Sequence, residues 1–302
     1  MSIDLARTFL EVVGSGSLAG AADRLNLTHS AITMRIKALE QLMGRRLLVR
    51  TKAGVTMTPA GVRFHRHAEV LVRAWQQTQR HMSLAPGFEG ILSVGADPSL
   101  WDDLMYDWAC ATRRERPQIA IRCESGSAER LIESLFQGWI DFCVVFEPQS
   151  RSGFHIEKLF DDPMILVSSE DRSYLDHFDP AFIQIDWDEG YRASIEKYDA
   201  DRNETPHLSA ATASLGLRFV CEFGGSTWMP RRVFETRTFP RTLYAVKDAH
   251  VFERSAYLVY SQEAMRDWLP GISIDEVRAS LLHQLAGATP IWPAPTSGLP
   301  AG

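Results

Sequence analysis

Between residues 17 and 44 a run of small residues, a tight turn and a longer amphipathic stretch follow one another without a gap. Ser17 predicts the N-cap of a short helix over Leu18 to Leu25, and Ala19, Gly20, Ala21 and Ala22 let a neighbour pack closely against it. Asn26 and Leu27 make the turn, Thr28 caps a third helix that runs to about Met43, and Gly44 supplies its left-handed stop. Ahead of these, Ile3 to Val13 carries Leu5, Phe9 and Val12 on one helical face and ends at Gly14-Ser15-Gly16. In the third helix Ile32, Ile36, Leu39 and Met43 form one stripe, while Ser30, Thr33, Met34, Lys37 and Gln41 point the opposite way. This is the pattern of a helix-turn-helix, whose second member enters the DNA major groove with its N-terminal residues at base edges. His29, Ser30, Thr33 and Met34 are then the candidate readers, with Thr28 and Lys37 beside them. An unspecialised three-helix bundle with a solvated polar face fits the same spacing.

Leu47 to Val49, a turn at Gly54 and the alternating Val55 and Met57 predict a two-stranded wing. Arg45, Arg46, Arg50 and Lys52 surround it and suit phosphate contacts, which fix register without specifying sequence. Thr58-Pro59 starts a further helix, because Thr caps well and Pro is favoured at the first helical position. Along it Phe64, Ala68, Leu71, Trp75, Thr78 and Met82 recur at spacings of four and three. Such a seam predicts a partner helix and therefore a dimer, the alternative being packing on its own domain. Charge points the same way: residues 1 to 89 hold 12 Lys+Arg against 6 Asp+Glu, net +6, and the remainder holds 20 against 32, net −12. A basic head on an acidic body brings only the head to a polyanion.

Read in order, Ala21-Ala22, Leu25, Thr28 to Thr33, Ile36 to Glu40, Leu42-Met43-Gly44, Leu47, Arg50 and Thr58-Pro59-Ala60-Gly61 resemble the signature of the LysR-type transcription regulators over about 60 residues. The resemblance implies a winged helix-turn-helix on double-stranded DNA, a linker-helix dimer and commonly a tetramer bridging two DNA sites. His29 stands where the family often has Gln, and Met34 where it often has Arg or Gln. Met cannot make a bidentate base contact, so specificity is expected to lean on His29, Ser30, Thr33 and groove shape.

From Gly90 onward short apolar strands alternate with amphipathic helices: Ile91 to Val94, Leu100 to Thr112, Ile119 to Cys123, Ala128 to Gln137 and Phe142 to Phe146. That order predicts a parallel sheet with helical crossovers and a ligand at the carboxyl ends of its strands. A second such unit is expected over Val167 to His250, with strands Phe182 to Trp187 and Leu208 to Ala210 and a helix Ala211 to Phe223 ended by Gly224-Gly225. Ala256 to Tyr260 and helices near Gln262 to Leu269 and Ile274 to Leu285 then return to the first lobe. The fold class is α/β behind a mainly α head. By resemblance, the two-lobed portion is a periplasmic-binding-protein-like effector domain. The expected division is 1–58 for the DNA-binding domain, 59–89 for the linker helix and 90–287 for the effector domain. Within the latter, lobe I covers about 90–166 and 255–287 and lobe II about 167–254, and 288–302 is a Pro-, Gly- and Ala-rich tail expected to be disordered. Gly95 to Trp101 and Gly225 to Pro230 look closest to the HdfR-like branch, some of whose members repress flagellar genes.

The candidate effector residues are Asp97, Ser99, Trp101, Ser125, Ser127, Glu147, Thr212 and Trp228. Helix starts at Ser99, Ser127 and Thr212 favour an anion, Asp97, Glu124 and Glu147 favour a cation or hydroxyls, and the two signals conflict. Trp101 and Trp228 suit either cleft walls or core. No P-loop, H-E-x-x-H or G-x-S-x-G occurs, and Ser194 to Lys197 matches S-x-x-K without the partner motifs, so no enzyme and no cofactor is expected. Cys110, Cys123, Cys143 and Cys221 lie too far apart in sequence for a metal knuckle and read as buried free thiols, with no disulfide switch. No apolar run reaches the roughly 20 residues of a membrane span, and neither a basic lead nor a cleavage site marks the start, so a cytoplasmic protein is expected. The alternative function is a ligand-independent DNA-binding repressor that uses its C-terminal domain only for oligomerisation.

Overall fold

The computed structural model describes residues 2–51, 54–82, 84–150, 153–175, 179–198, 205–261 and 272–286. Two compact units result, one comprising the chain to Pro86 with Glu133–Trp139, the other Gly87–Ile132 and the chain from Ile140 onward.

In the first unit α1 (Ile3–Ser15), α2 (Leu18–Leu25) and α3 (His29–Met43) each begin and end at capping residues. The Ser17 hydroxyl accepts from Gly20 N at 2.9 Å and that of Thr28 from Ala31 N at 3.2 Å, satisfying orphan donors. Gly16, Asn26 and Gly44 end the helices in the left-handed conformation. Phe9, Ala21, Ile32, Leu39 and Leu47 are withdrawn from solvent between the helices. β1 (Leu48–Thr51) and β2 (Gly54–Met57) pair antiparallel as the wing, and Glu40 of α3 holds its approach by accepting from Leu47 N and Leu48 N at 2.8 and 3.1 Å. Thr58 then caps α4 (Pro59–Met82): its Oγ1 donates to Arg46 O at 2.7 Å and accepts from Gly61 N at 3.0 Å. Gly61 lies against the Leu47 carbonyl, and any β-carbon there would collide with it. The Thr-Pro-Ala-Gly run therefore fastens the linker helix onto the wing.

The second unit is two lobes. Lobe I carries one sheet in the order β4-β3-β5-β12-β6, formed by β3 (Gly90–Ala96), β4 (Ile119–Ser125), β5 (Phe142–Phe146), β6 (His155–Asp161) and β12 (Ser255–Tyr260). β3 pairs parallel with β4 and β5, as the strand-helix alternation predicts, while β12 runs antiparallel to both neighbours. The crossover helix after β3 is not continuous. A single turn, α5 (Pro98–Leu100), passes into a π-helical turn over Trp101–Met105 before α6 (Tyr106–Glu115). α11 (Ile274–Ala286) also belongs to this portion, and α7 (Ala128–Phe136) begins in it and ends in the segment Glu133–Trp139 of the first unit. Leu92, Leu100, Met105, Trp108, Phe142 and Leu258 centre its core.

In lobe II, β7 (Met164–Ser168) lies between β10 (Ser226–Pro230) and β11 (Tyr244–Ala245), both antiparallel to it. β8 (Ile183–Ile185) and β9 (Leu208–Ala210) pair parallel. α8 (Glu189–Tyr198), α9 (Ala213–Phe223) and α10 (Arg231–Thr236) complete the lobe. The two passages between lobes run side by side, with Asp162 N donating to Arg254 O and Met164 N to Phe252 O, each at 2.8 Å. The predicted helix Gln262 to Leu269 and the tail 288–302 lie outside the described residues. All four cysteines are free thiols; Cys143 alone is buried, whereas Cys123 is exposed and Cys110 and Cys221 are half-buried. The expectation of four buried thiols is thus corrected: Cys123 lies on β4, at the edge of the sheet, where no strand among the described residues covers its outer side. Among the described residues no helix is long and apolar enough to cross a membrane.

Candidate nucleic-acid interface and effector cleft

On α3 the stripe Ile32, Ile36 and Leu39 is buried, and this turns the predicted readers outward. Thr28, His29, Ser30 and Lys37 are exposed, Thr33 is half-buried, and Met34 has 71% of its surface open, an unusual place for a large apolar side chain. Thr28 is also occupied locally, since its hydroxyl caps Ala31 N and lies 2.9 Å from Ser30 Oγ. Arg50 extends from β1 and its Nη2 reaches Thr33 Oγ1 at 3.4 Å, tying wing to helix. Lys52 lies outside the described residues.

In the second unit a cavity of about 690 Å³ opens between the carboxyl ends of the lobe I strands and lobe II. Of the eight predicted residues, Asp97, Ser127 and Glu147 line it. Ser99 is buried under Asp97, which it contacts by its amide and its hydroxyl, at 3.0 and 2.8 Å. Thr212 is exposed at the start of α9, whose neighbour Ala211 reaches the wall. Ser125 is exposed at the end of β4 and is not on the cavity wall. Trp101 is a correction: its indole donates to Glu124 O at 2.9 Å and faces a different groove, between α6 and β4. Trp228 is another, for pairing of β10 with β7 sets it opposite Leu166 in the lobe II core, 4.6 Å from the Phe252 ring, and its carbonyl accepts from Trp187 Nε1.

The wall also contains residues that the sequence pattern does not single out. Asp186, Trp187 and Asp188 come from the β8–α8 turn, Arg192 from the first turn of α8, and Phe146 from the end of β5. Arg192 pairs with Asp186. Asp188 caps α8, accepting from Tyr191 N at 2.8 Å, and its other oxygen meets the buried guanidinium of Arg254. Arg254 also grips Asp162 at 2.7 Å and lies over the Phe146 ring at 3.9 Å, so one side chain joins both interlobe passages to both walls. Glu147, at a positive φ of 46°, lays its carboxylate on Gly190 in the first turn of α8, and a β-carbon at 190 would occupy the same space. Burial pushes the Asp97 carboxyl up to about 6, against the Ser99 hydrogen bonds, which lower it; nearby Asp188 raises it further and Arg254 lowers it.

The model of the bacterial regulatory helix-turn-helix protein, lysR family, matches residues 3–62, and that of the LysR substrate binding domain matches residues 85–268, more than half of the chain. The chain belongs to the LysR family. It is a DNA-binding transcription regulator with a ligand-binding domain. Among curated LysR-type relatives, HTH-type transcriptional regulator HdfR of Salmonella newport (strain SL254) is 25% identical over 259 residues, covering 82% of this chain and 92% of the relative. This agrees with the HdfR-like resemblance of the two loop segments. Among solved structures, an H2O2-bound cysteine-to-serine mutant of Corynebacterium glutamicum OxyR superposes with a TM-score of 0.51 at 20% identity, covering 95% of this chain and 93% of that one. Full-length LysG from Corynebacterium glutamicum with bound effector Arg also gives 0.51, at 15% identity, covering 96% and 100%. At these identities the two structures establish the fold of this LysR-family chain.

Proposed function

We propose that this LysR-family protein is a cytoplasmic, non-enzymatic regulator that reads double-stranded DNA through the N-terminal half of α3 and senses a small molecule in the interlobe cavity. The outward face of His29, Ser30, Thr33 and Met34 carries the first part of the reading. Thr28 acts chiefly as the cap that sets the pitch of α3, Lys37 and Arg50 reach phosphate, and Lys52 is assigned to phosphate on sequence grounds. The working division remains 1–58, 59–89 and 90–287. The working unit is a homodimer through α4, with a homotetramer as its further assembly. In support, Leu71, Trp75 and Met82 of the heptad seam are 40, 47 and 81% exposed, a costly arrangement for a lone helix.

Fluorescence-anisotropy titration against the DNA immediately upstream of the protein's own gene, with a shuffled duplex alongside and two salt concentrations, tests this. Tighter binding to the native duplex at both salts, lost in Thr33→Ala, is the expected result. Equal and steeply salt-dependent binding to both duplexes would refute sequence reading of that DNA by α3.

A further inference from the structure

We propose that the interlobe cavity recognises an organic cation, an ammonium or guanidinium group, anchored on the carboxylate of Asp97. The inference rests on the reading of that cavity as the effector site and names the chemistry the site accepts.

An anion would be served best by an uncapped helix start or an uncommitted positive side chain, whereas on the main walls of the cavity the described helix starts carry capping side chains and the arginines are paired. Asp97 takes the Ser99 amide at the start of α5, Ser127 Oγ takes Arg130 N at 3.4 Å on α7, and Asp188 takes Tyr191 N on α8. Glu147 adds a second carboxylate to the first turn of α8. Of the helices that start near the cavity, α9 begins without a side-chain cap, but Thr212 itself stands off the wall. Arg192 is held by Asp186, and Arg254 by Asp162 and Asp188.

The negative side is not balanced. Asp97 is only 5% exposed, yet both bonds from Ser99 go to Oδ1, and Oδ2 has no hydrogen-bond partner among the described residues. An unpartnered carboxylate oxygen of a largely buried residue that opens onto a cavity is a place for a ligand's donor, and a charged donor returns most. Phe146 and Trp187 line the same space. Phe146 already holds the Arg254 guanidinium over its ring, so the wall is of a kind that accepts cations. The raised Asp97 carboxyl fits a group awaiting its counter-charge, with Ser99, Asp188 and Arg254 as the groups facing it.

The test uses the full-length protein at pH 8 in thermal-shift and calorimetric titrations with agmatine, putrescine, lysine and arginine, and with succinate, citrate and benzoate as the anion set. At least one cation is expected to stabilise the wild type, with apparent affinity at least about tenfold weaker in Asp97→Asn. A cation that stabilises both proteins equally overturns the anchor. Stabilisation by an anion alone, abolished by Ala193→Trp, which fills the cavity, overturns the cation class and leaves the effector cavity standing. No shift from either set overturns both.

Discussion

Replacing Asp97 by Asn should make the protein more stable, and only above mildly acid pH. Asn keeps the side-chain oxygen that accepts from Ser99 and remains a good N-cap, so the change removes little except a buried charge. The folded-state value of about 6 against an ordinary 3.8 means that the native protein holds this proton more tightly than the unfolded chain. Between roughly pH 4 and 6 unfolding therefore releases a proton, and stability falls as pH rises through that window. Above pH 6 the deficit is complete. A shift of about 2 units at about 1.4 kcal/mol each places it near 3 kcal/mol, an upper limit because solvent enters the cavity. For a unit of this size that corresponds to roughly 6–12 °C in the unfolding midpoint. Urea and thermal unfolding of both proteins at pH 4, 6 and 8 measure it: the gain should be near zero at pH 4 and largest at pH 8. A variant no more stable at pH 8, or equally favoured at every pH, would refute the assignment of an uncompensated charge to Asp97.

Thr33→Ala should lower discrimination between operator and shuffled duplex by about 1–3 kcal/mol, whereas Met34→Ala should leave discrimination intact; anisotropy with the paired duplexes reads both. Trp75→Asp, on the open face of α4, should shift the protein toward monomer in sedimentation equilibrium while leaving the circular dichroism spectrum unchanged. Arg254→Met leaves Asp188 without its cation and Asp162 with Arg232 alone, and should cost about 3–5 kcal/mol in urea unfolding. A loss below about 1 kcal/mol would show that the interlobe passages do not depend on that side chain.

The head was legible because its information is local. Ser17, Thr28 and Gly44 act within a turn of their own positions, and the stripe Ile32, Ile36, Leu39 needs only helical periodicity. The strands of lobe II were harder. β7 is four apolar residues and a serine, all buried with no alternation, and β10 starts directly after the Gly224-Gly225 stop and ends in Pro230, a poor advertisement for a strand. The fate of Trp228 follows from its register with Leu166, a pairing across 62 positions that no local pattern records. For the same reason Asp97, Ser127 and Glu147 could be placed near the cavity from strand ends, while Asp188 and Arg254 could not. They meet because the chain crosses between lobes twice at one place. The conflict between anion and cation signals likewise lies beyond the sequence, which does not record which amides the side chains at the helix starts engage.

The placement of β12 between β5 and β6 in the lobe I sheet has a consequence for synthesis. Ala256 pairs with Phe146, 110 positions earlier, and among the described residues β12 is the only sheet neighbour of β6. At ordinary translation rates β5 and β6 wait roughly 5–20 s on the ribosome for the strand that joins them. Through that interval the nascent lobe presents open strand edges, the surfaces by which chains pair with one another wrongly. The head has no such delay, because its helices and wing, with the α4 turns that pack on α1, are all made within the first 80 or so residues. A chain stopped before β12 thus carries the helices and wing of the head ahead of a sensor whose strand edges are still open.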